Sequence, residues 1–244
     1  MKYLLVVDVH GNYEALTAVL TSAPAAKCDA IFCLGDVVGY GPRPGECLNL
    51  LRAQNTFFVR GNHDHEASTK DMSYLKVFSS EAAQAMTITR ELLTNDQKNY
   101  LAQMPTTLIV NGAYTLFHGA YENSIWKYLV TAQDAVTSLT RMPTLKGFCG
   151  HTHQPKIFEV TDENIAKSVT PKTGQAYHLT WAIVNPGSVG QPRDHRATAS
   201  YTVYDSKHAT VRIHRVAYDM ERTMKDMKAI SSPKFLIDRL FDGI

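Results

Sequence analysis

What most constrains this chain is a grammar repeated three times in its first third. A short apolar run of β type is broken off each time by glycine, carboxylate, amide or imidazole residues. Tyr3 to Val7 ends in Asp8-Val9-His10, Ala30 to Leu34 ends in Gly35-Asp36, and Thr56 to Val59 leads through Arg60 into Gly61-Asn62-His63-Asp64. Amphipathic helical stretches separate the runs, one from about Asn12 and another from about Gly45 to Ala53, which is the rhythm of βαβ units. Parallel strands linked in this way all end at one edge of the sheet, and ligands gather at that edge. Three polar endings in succession therefore predict one shared site.

Further along, the pattern changes. From about Ser80 to Gln103 it is helical, with Thr94 a suitable N-cap for Asp96 to Leu101 and Pro105 a stop. Thr107 to Val110 and Tyr114 to Phe117 then flank Asn111-Gly112, a strong hairpin signal. β-like runs at Ile157 to Val160, Ala182 to Val184, Tyr201 to Tyr204 and Thr210 to Ile213 predict antiparallel pairing and a second sheet. The stretch from Tyr218 to Leu240 reads as helix, interrupted near Ser231-Ser232-Pro233. With 244 residues, 44% of them hydrophobic, the chain can bury one substantial core, and no linker or repeat divides it. A single α/β domain over residues 1–244 is expected.

Charge narrows the partners. Lys plus Arg number 25 against 23 for Asp plus Glu, so a net charge of +2 offers no general field for extended nucleic acid or an anionic membrane. Phosphate recognition, if present, must be local. Asp8 ends the first apolar run far short of a membrane span. Cys28, Cys33, Cys47 and Cys149 form no Cys-x-x-Cys pair and suit buried thiols in a reducing compartment, the cytoplasm.

The candidate chemistry lies in Asp8, His10, Asp36, Asn62, His63, His118, His151 and His153, all beside glycine or at the end of an apolar run. Oxygen and imidazole donors without thiolate describe a site for manganese, iron, zinc or a similar divalent ion rather than a structural zinc knot. In Asp-x-His and His-x-His, alternate residues of an extended segment point the same way, so both can reach one ion. Taken singly each is weak: a carboxylate at a strand end also caps helices, and a lone His118 also reads as a hydrogen-bonded core histidine. His65, His178, His195, His208 and His214 fit no ligand spacing and read as surface or hydrogen-bonded side chains.

Taken in order, these motifs give the chain a resemblance to the calcineurin-like metallophosphoesterases, whose signature runs Asp-x-His, Gly-Asp-x-x, Gly-Asn-His-Asp/Glu, His and Gly-His-x-His. Here the blocks are Asp8-Val9-His10, Gly35-Asp36-Val37-Val38, Gly61-Asn62-His63-Asp64, His118 and Gly150-His151-Thr152-His153. The segments Gly35 to Pro42 and Asn185 to Arg193, with the stretch from Tyr218 to Gly243, resemble the compact prokaryotic branch of that superfamily. The resemblance implies a four-layer α/β/β/α sandwich of two mixed sheets with outer helices. It also implies hydrolysis of a phosphate monoester or diester by metal-activated water.

By matching motif, the resemblance assigns Asp8, His10, Asp36 and His153 to one divalent ion and Asp36, Asn62, His118 and His151 to a second. Asp36 bridges the two, with manganese foremost and iron, zinc, nickel or magnesium as alternatives. His63 has no metal role in this scheme and faces the substrate, as a charge stabiliser or as the acid that protonates the leaving oxygen.

The chain departs from many relatives at one place, where their second block continues Asp-Arg and this one has Gly39-Tyr40. Asp64 is then the replacement carboxylate, counted with His63 as catalytic. Arg193, Tyr40 and Arg60 are the candidates for holding the phosphate, although Arg60 reads equally well as a surface ion-pair partner. Tyr121, Trp126 and Tyr128 are candidates for the cleft wall, with core or subunit contact as the alternative. Two other readings remain: a binding scaffold of the same fold with a weak or silent metal site, and a hydrolase for nucleotides or dinucleoside polyphosphates.

Overall fold

The first third folds as its grammar predicts, into β1 (Lys2–Val6), α1 (Tyr13–Thr21), β2 (Ala30–Cys33), α2 (Pro44–Arg52) and β3 (Thr56–Phe58). The computed structural model describes residues 1–72, 76, 78–160 and 165–244. β1, β2 and β3 pair in parallel, so Asp8, Asp36 and Asn62 emerge at one edge. Each connecting helix starts where local chemistry allows. The Asn12 side chain accepts the Ala15 amide at the start of α1, and Pro44 occupies the first turn of α2, where a missing N–H costs nothing. The third polar cluster opens a helix of its own, α3 (Asn62–Ser68).

The helical stretch from Ser80 to Gln103 is two helices, α4 (Ser80–Leu92) and α5 (Asn95–Gln103). Thr94 and Gln97 form a reciprocal capping box that starts the second one. β4 (Thr107–Val110) and β5 (Tyr114–Phe117) make the hairpin expected from Asn111-Gly112, whose φ angles of 53° and 65° give the left-handed pair such a turn requires. There follow α6 (Ala132–Arg141), β6 (Lys146–Phe148), β7 (Pro155–Val160), β8 (Ala166–Val169), β9 (Ala176–His178), β10 (Ala182–Pro186), β11 (Ala199–Asp205) and β12 (Thr210–Val216). α7 (Met220–Ala229) and α8 (Lys234–Asp242) complete the described chain, parted at Ser231, whose φ of 56° no helix accommodates.

Two six-stranded mixed sheets result, in the orders β3-β2-β1-β11-β12-β9 and β4-β5-β6-β10-β7-β8. One expectation changes here. The late strands do not all build a second sheet, because β11 and β12 return to lie antiparallel beside β1. The second sheet also contains parallel pairs, since β6 runs with both β5 and β10. Alternation along β1 explains the layering: Tyr3 and Leu5 face one way, Leu4 and Val6 the other. The first pair packs between the sheets with Phe32, Leu116, Phe148, Ile157 and Val184, and the second pair packs under α1 and α2. Phe117, Phe158 and Ile183 use their outer faces to hold Ala135 and Leu139 of α6. Helix, sheet, sheet and helix form an α/β sandwich.

Phe32 lies at the middle of the inter-sheet core, fully buried and stacked on Tyr3 at 4.3 Å between ring centroids. Phe32→Ala is predicted to cost about 3–5 kcal/mol of unfolding free energy in urea titration, the usual range for a buried aromatic. A loss below about 1 kcal/mol would show that the sheets are not held together at this point.

Candidate active site

The site is built on backbone before any side chain is placed. Asp8 donates its N–H to the Gly35 carbonyl at 3.1 Å and His10 to the Asp36 carbonyl at 3.0 Å, so the loops after β1 and β2 run side by side. Below them, Asp64 of α3 accepts four backbone N–H groups: Asp36 and Gly61 on one oxygen at 2.7 and 3.0 Å, Val37 and Val38 on the other at 2.9 and 3.2 Å. This carboxylate ties the Gly35 to Val38 loop to the start of α3. Gly61 makes the approach possible, since a Cβ there would lie 2.0 Å from Asp36 Oδ1.

The resulting turns are strained. Asp8, His10, Asp36, His151 and His153 have φ between 49° and 69°, the left-handed region that costs a non-glycine residue about 1–3 kcal/mol. Strain at five neighbouring residues is offset only where the surroundings over-determine them. Here the other partners are Ser188 and Gly190, whose Oγ and N–H both donate to the Asp8 carbonyl, and the His151 N–H, which donates to Asp8 Oδ2.

Backbone carbonyls also set the imidazoles. Nδ1 of His10 lies 3.1 Å from the Val38 oxygen, that of His118 2.8 Å from the Leu34 oxygen, and that of His153 2.6 Å from the Gln191 oxygen. Each carbonyl can only accept, so the proton sits on Nδ1 and the Nε2 lone pair faces inward. His151 is turned round: its Nε2 is 3.3 Å from the Trp126 carbonyl, which leaves Nδ1 free.

The inward nitrogens meet the carboxylates without ordinary hydrogen bonds. His118 Nε2 is 3.3 Å from Asp36 Oδ2 and unaligned, and His153 Nε2 is 3.7 Å from Asp8 Oδ1. His10 Nε2 and His153 Nε2 face each other at 3.2 Å, two lone pairs with no proton to share once both Nδ1 atoms are protonated. Asp8 Oδ1, Asn62 Oδ1, His63 Nδ1 and His118 Nε2 are buried without a hydrogen-bond partner among the described residues. Three groups have donor atoms within 4.8 Å of one another and could hold an ion: Asp8, His10 and His153; Asp36, His118 and His151; and His10, Asp36 and His63.

The electrostatics reflect that crowding. Burial and the neighbouring Asp36 push the Asp8 carboxyl up to about 8, against the pull of His118. For Asp36 burial acts upward too, but the imidazoles of His118, His63 and His10 outweigh it and hold the carboxyl down. Burial likewise pulls His118 down, yet Asp36 and Asp8 lift it to about 9. His10, His63, His151 and His153 are all lowered, chiefly by burial, with His63 at about 4 and His151 at about 3. The site thus holds four neutral imidazoles beside crowded carboxylates, while Asp8 and His118 retain protons that ligation of a cation would displace.

Beside this cluster opens a cleft of about 390 Å3, walled by Tyr40, Asn62, His63, Phe78, Trp126, Tyr128, His151, Arg193 and Arg239 among others. The calcineurin-like phosphoesterase superfamily domain profile matches residues 1–209. The chain belongs to the calcineurin-like phosphoesterase superfamily. It is 35% identical to an uncharacterised protein of Methanocaldococcus jannaschii over 98% of this chain and 97% of that one. A metallophosphoesterase of Sphaerobacter thermophilus superposes with a TM-score of 0.88 and 34% identity, covering 100% of this chain and 99% of that one. A hypothetical protein of Pyrococcus horikoshii shares the fold at a TM-score of 0.80 and 19% identity, over 100% and 98% of the two chains.

In this phosphoesterase all seven ligands expected from the sequence are buried: Asp8, His10, Asp36, His118, His151 and His153 fall in the groups whose donor atoms lie together, and Asn62 lines the cleft with His151. Tyr40 and Arg193 line the cleft, and the Tyr40 ring sits 4.5 Å from both His10 and His63. Two expectations are corrected. Asp64 is not catalytic: it is fully buried, with both oxygens engaged by backbone amides, and it positions Asp36. Arg60 does not hold substrate, because its Nη1 donates to the Ala102 carbonyl near the end of α5, away from the cleft. Trp126 and Tyr128 line the cleft, while Tyr121 packs in the outer core against Phe117.

The sequence reading missed three contributors. Asn185 donates to Gly150 O and Thr152 Oγ1 and so braces the His151 to His153 turn, while the Gln191 carbonyl orients His153. Both lie in the Asn185 to Arg193 segment, whose oddity was visible but whose contacts were not. Arg239 reaches the cleft from α8, with no motif around it.

Asp64→Asn replaces an acceptor for four amides by a group with one acceptor oxygen and an NH2 that faces donors. We expect a loss of about 3–5 kcal/mol in urea titration, the range for breaking a buried charged network, together with reduced metal content. Wild-type stability and metal content in this variant would contradict the positioning role.

Proposed function

We propose that the chain is a hydrolase of small phosphate monoesters or diesters that works with two divalent ions. One ion would be held by Asp8, His10, Asp36 and His153, the other by Asp36, Asn62, His118 and His151, with Asp36 shared. The observation that carries this reading is the pair of facing nitrogens, His10 Nε2 and His153 Nε2, 3.2 Å apart with both Nδ1 atoms against carbonyls. Two lone pairs repel unless a cation lies between them. The orphaned Asp8, Asn62 and His118 atoms beside them extend the same logic, and the oxygen and imidazole donors suit manganese, iron or zinc. Bound ions of this kind supply a water of near-neutral pKa and neutralise phosphoryl oxygens.

The remaining tasks fall to the protein. The Arg193 guanidinium, whose Nη2 donates to Gln191 Oε1, faces the cleft and would grip phosphoryl oxygens. His63 stands between Tyr40, at 4.5 Å, and Phe78, at 5.1 Å, and its Nδ1 has no hydrogen-bond partner among the described residues. Burial keeps that imidazole at about 4 before substrate arrives. An incoming phosphate dianion would raise it, which allows His63 to carry a proton to the departing oxygen. The four cysteines are free, and we assign the protein to the cytoplasm.

Metal-stripped protein is expected to leave 4-nitrophenyl phosphate and bis(4-nitrophenyl) phosphate untouched, and to hydrolyse at least one of them when manganese is returned. Turnover that survives stripping would overturn the reading. His63→Gln should slow an alkyl phosphate about 10²–10⁴-fold more than the nitrophenyl ester, because nitrophenolate leaves without a proton. Equal losses on both substrates would make His63 a charge stabiliser only.

A further inference from the structure

α8 brings a second guanidinium to the cleft. Arg239 and Arg193 both line it, and among the described residues no carboxylate does. The arginines that form ion pairs among the described residues are Arg43, Arg52, Arg215 and Arg222. Among the described residues, neither Arg193 nor Arg239 forms an ion pair with an aspartate or glutamate. Arg239 donates Nε to the main-chain oxygen of Ile244, the last residue of this sequence, and its guanidinium carbon lies 5.2 Å from the Phe235 ring centroid. Its terminal nitrogens have no acceptor among the described residues.

The placement is held by packing rather than by chance contact. Leu236, Ile237 and Leu240 anchor α8 on Met227 of α7 and Ala85 of α4. The helix ends at Gly243, φ 66°, whose carbonyl accepts the His195 N–H and whose added Cβ would meet the Arg196 nitrogen at 2.5 Å. The end of α8 is thus docked on the same loop that carries Arg193. Burial and the charge of Arg193 pull the Arg239 guanidinium down to about 10, so the protein holds two like charges together at some cost. Arg193 is tied to the ligand cluster, since its N–H donates to the His153 carbonyl at 3.2 Å, whereas Arg239 enters the cleft from α8 on the side of Tyr40.

We propose that Arg239 determines specificity by binding a second phosphate, one linkage out from the phosphoryl group at Arg193, so that the preferred substrates carry adjacent phosphates. This rests on the phosphoesterase reading and deepens it. An anion between the guanidiniums converts their repulsion into two charge-assisted contacts, which a lone phosphate held at the ligand cluster does not do. A nucleoside diphosphate is the simplest molecule of the required chemistry.

AMP and ADP differ by one phosphate and serve as the probes. In calorimetric titration of metal-stripped wild-type protein, ADP should bind about tenfold more tightly than AMP, as one charge-assisted contact warrants. R239Q should bring that ratio close to one, while R193Q should weaken both nucleotides and keep the ratio above one. Circular dichroism and Tm of each variant separate misfolding from lost contacts, and R239K should retain an intermediate ratio if charge is the cause. Equal binding of AMP and ADP by the wild type, no measurable binding of either, or an unchanged ratio in folded R239Q would each overturn the proposal. Manganese-dependent hydrolysis of 4-nitrophenyl phosphate, run on the wild type in parallel, tests the phosphoesterase reading separately: its absence would remove that reading and not the binding ratio.

Discussion

The Asp64 carboxylate, which never faces the cleft, is the interaction on which the site depends. Its two oxygens collect the amides of Asp36, Val37, Val38 and Gly61, and so fix the end of β2 against the start of α3. Only with those amides satisfied can Asp36 keep Oδ2 toward His10 and His118 while Oδ1 accepts the His63 N–H at 2.9 Å. Charge-assisted bonds of this sort are strong because water is excluded, and the same exclusion makes them costly to break. The chain has Gly39-Tyr40 after Val38, and the carboxylate that holds this loop comes from α3 instead.

A second constraint follows from the first. Once Asp8 and Asp36 are buried together, their mutual repulsion needs a compensating charge, and the imidazoles supply it only in part. Asp8 is pushed up and His118 is pushed up with it, so the cluster retains protons that a divalent ion would displace. The carbonyls of Leu34, Val38 and Gln191 prevent the histidines from relaxing by tautomer exchange, because each keeps a proton on Nδ1. Strained backbone, orphaned donors and fixed tautomers are unfavourable separately, and a cation at the centre relieves them together.

Much of this was legible in the sequence because it is carried by local chemistry. Three apolar runs that break into Asp-x-His, Gly-Asp and Gly-Asn-His-Asp announce a parallel sheet with one functional edge, and the Asn111-Gly112 turn fixes a hairpin by its left-handed pair. What was not legible is long-range. β6 is three residues, Lys146 to Phe148, with a glycine at its centre, and it is a strand because β5 and β10 enclose it. β11 and β12 carry the same alternation whichever sheet they join, so only the structure places them beside β1. Asp64 read as a replacement carboxylate counted with His63 as catalytic, whereas both its oxygens are turned into the backbone amides. Arg60 has the charge for phosphate but emerges toward α5, and Arg239 has no motif at all.

The central claim, a pair of ions bridged by Asp36, is tested most directly by diffraction from crystals grown with manganese, with data collected above the metal absorption edge. The account predicts two anomalous peaks about 3.5–4 Å apart, one among Asp8, His10 and His153 and the other among Asn62, His118 and His151, with Asp36 between them. A single peak among His10, Asp36 and His63, the rival grouping, would contradict it, as would the absence of any peak in a crystal that binds manganese elsewhere.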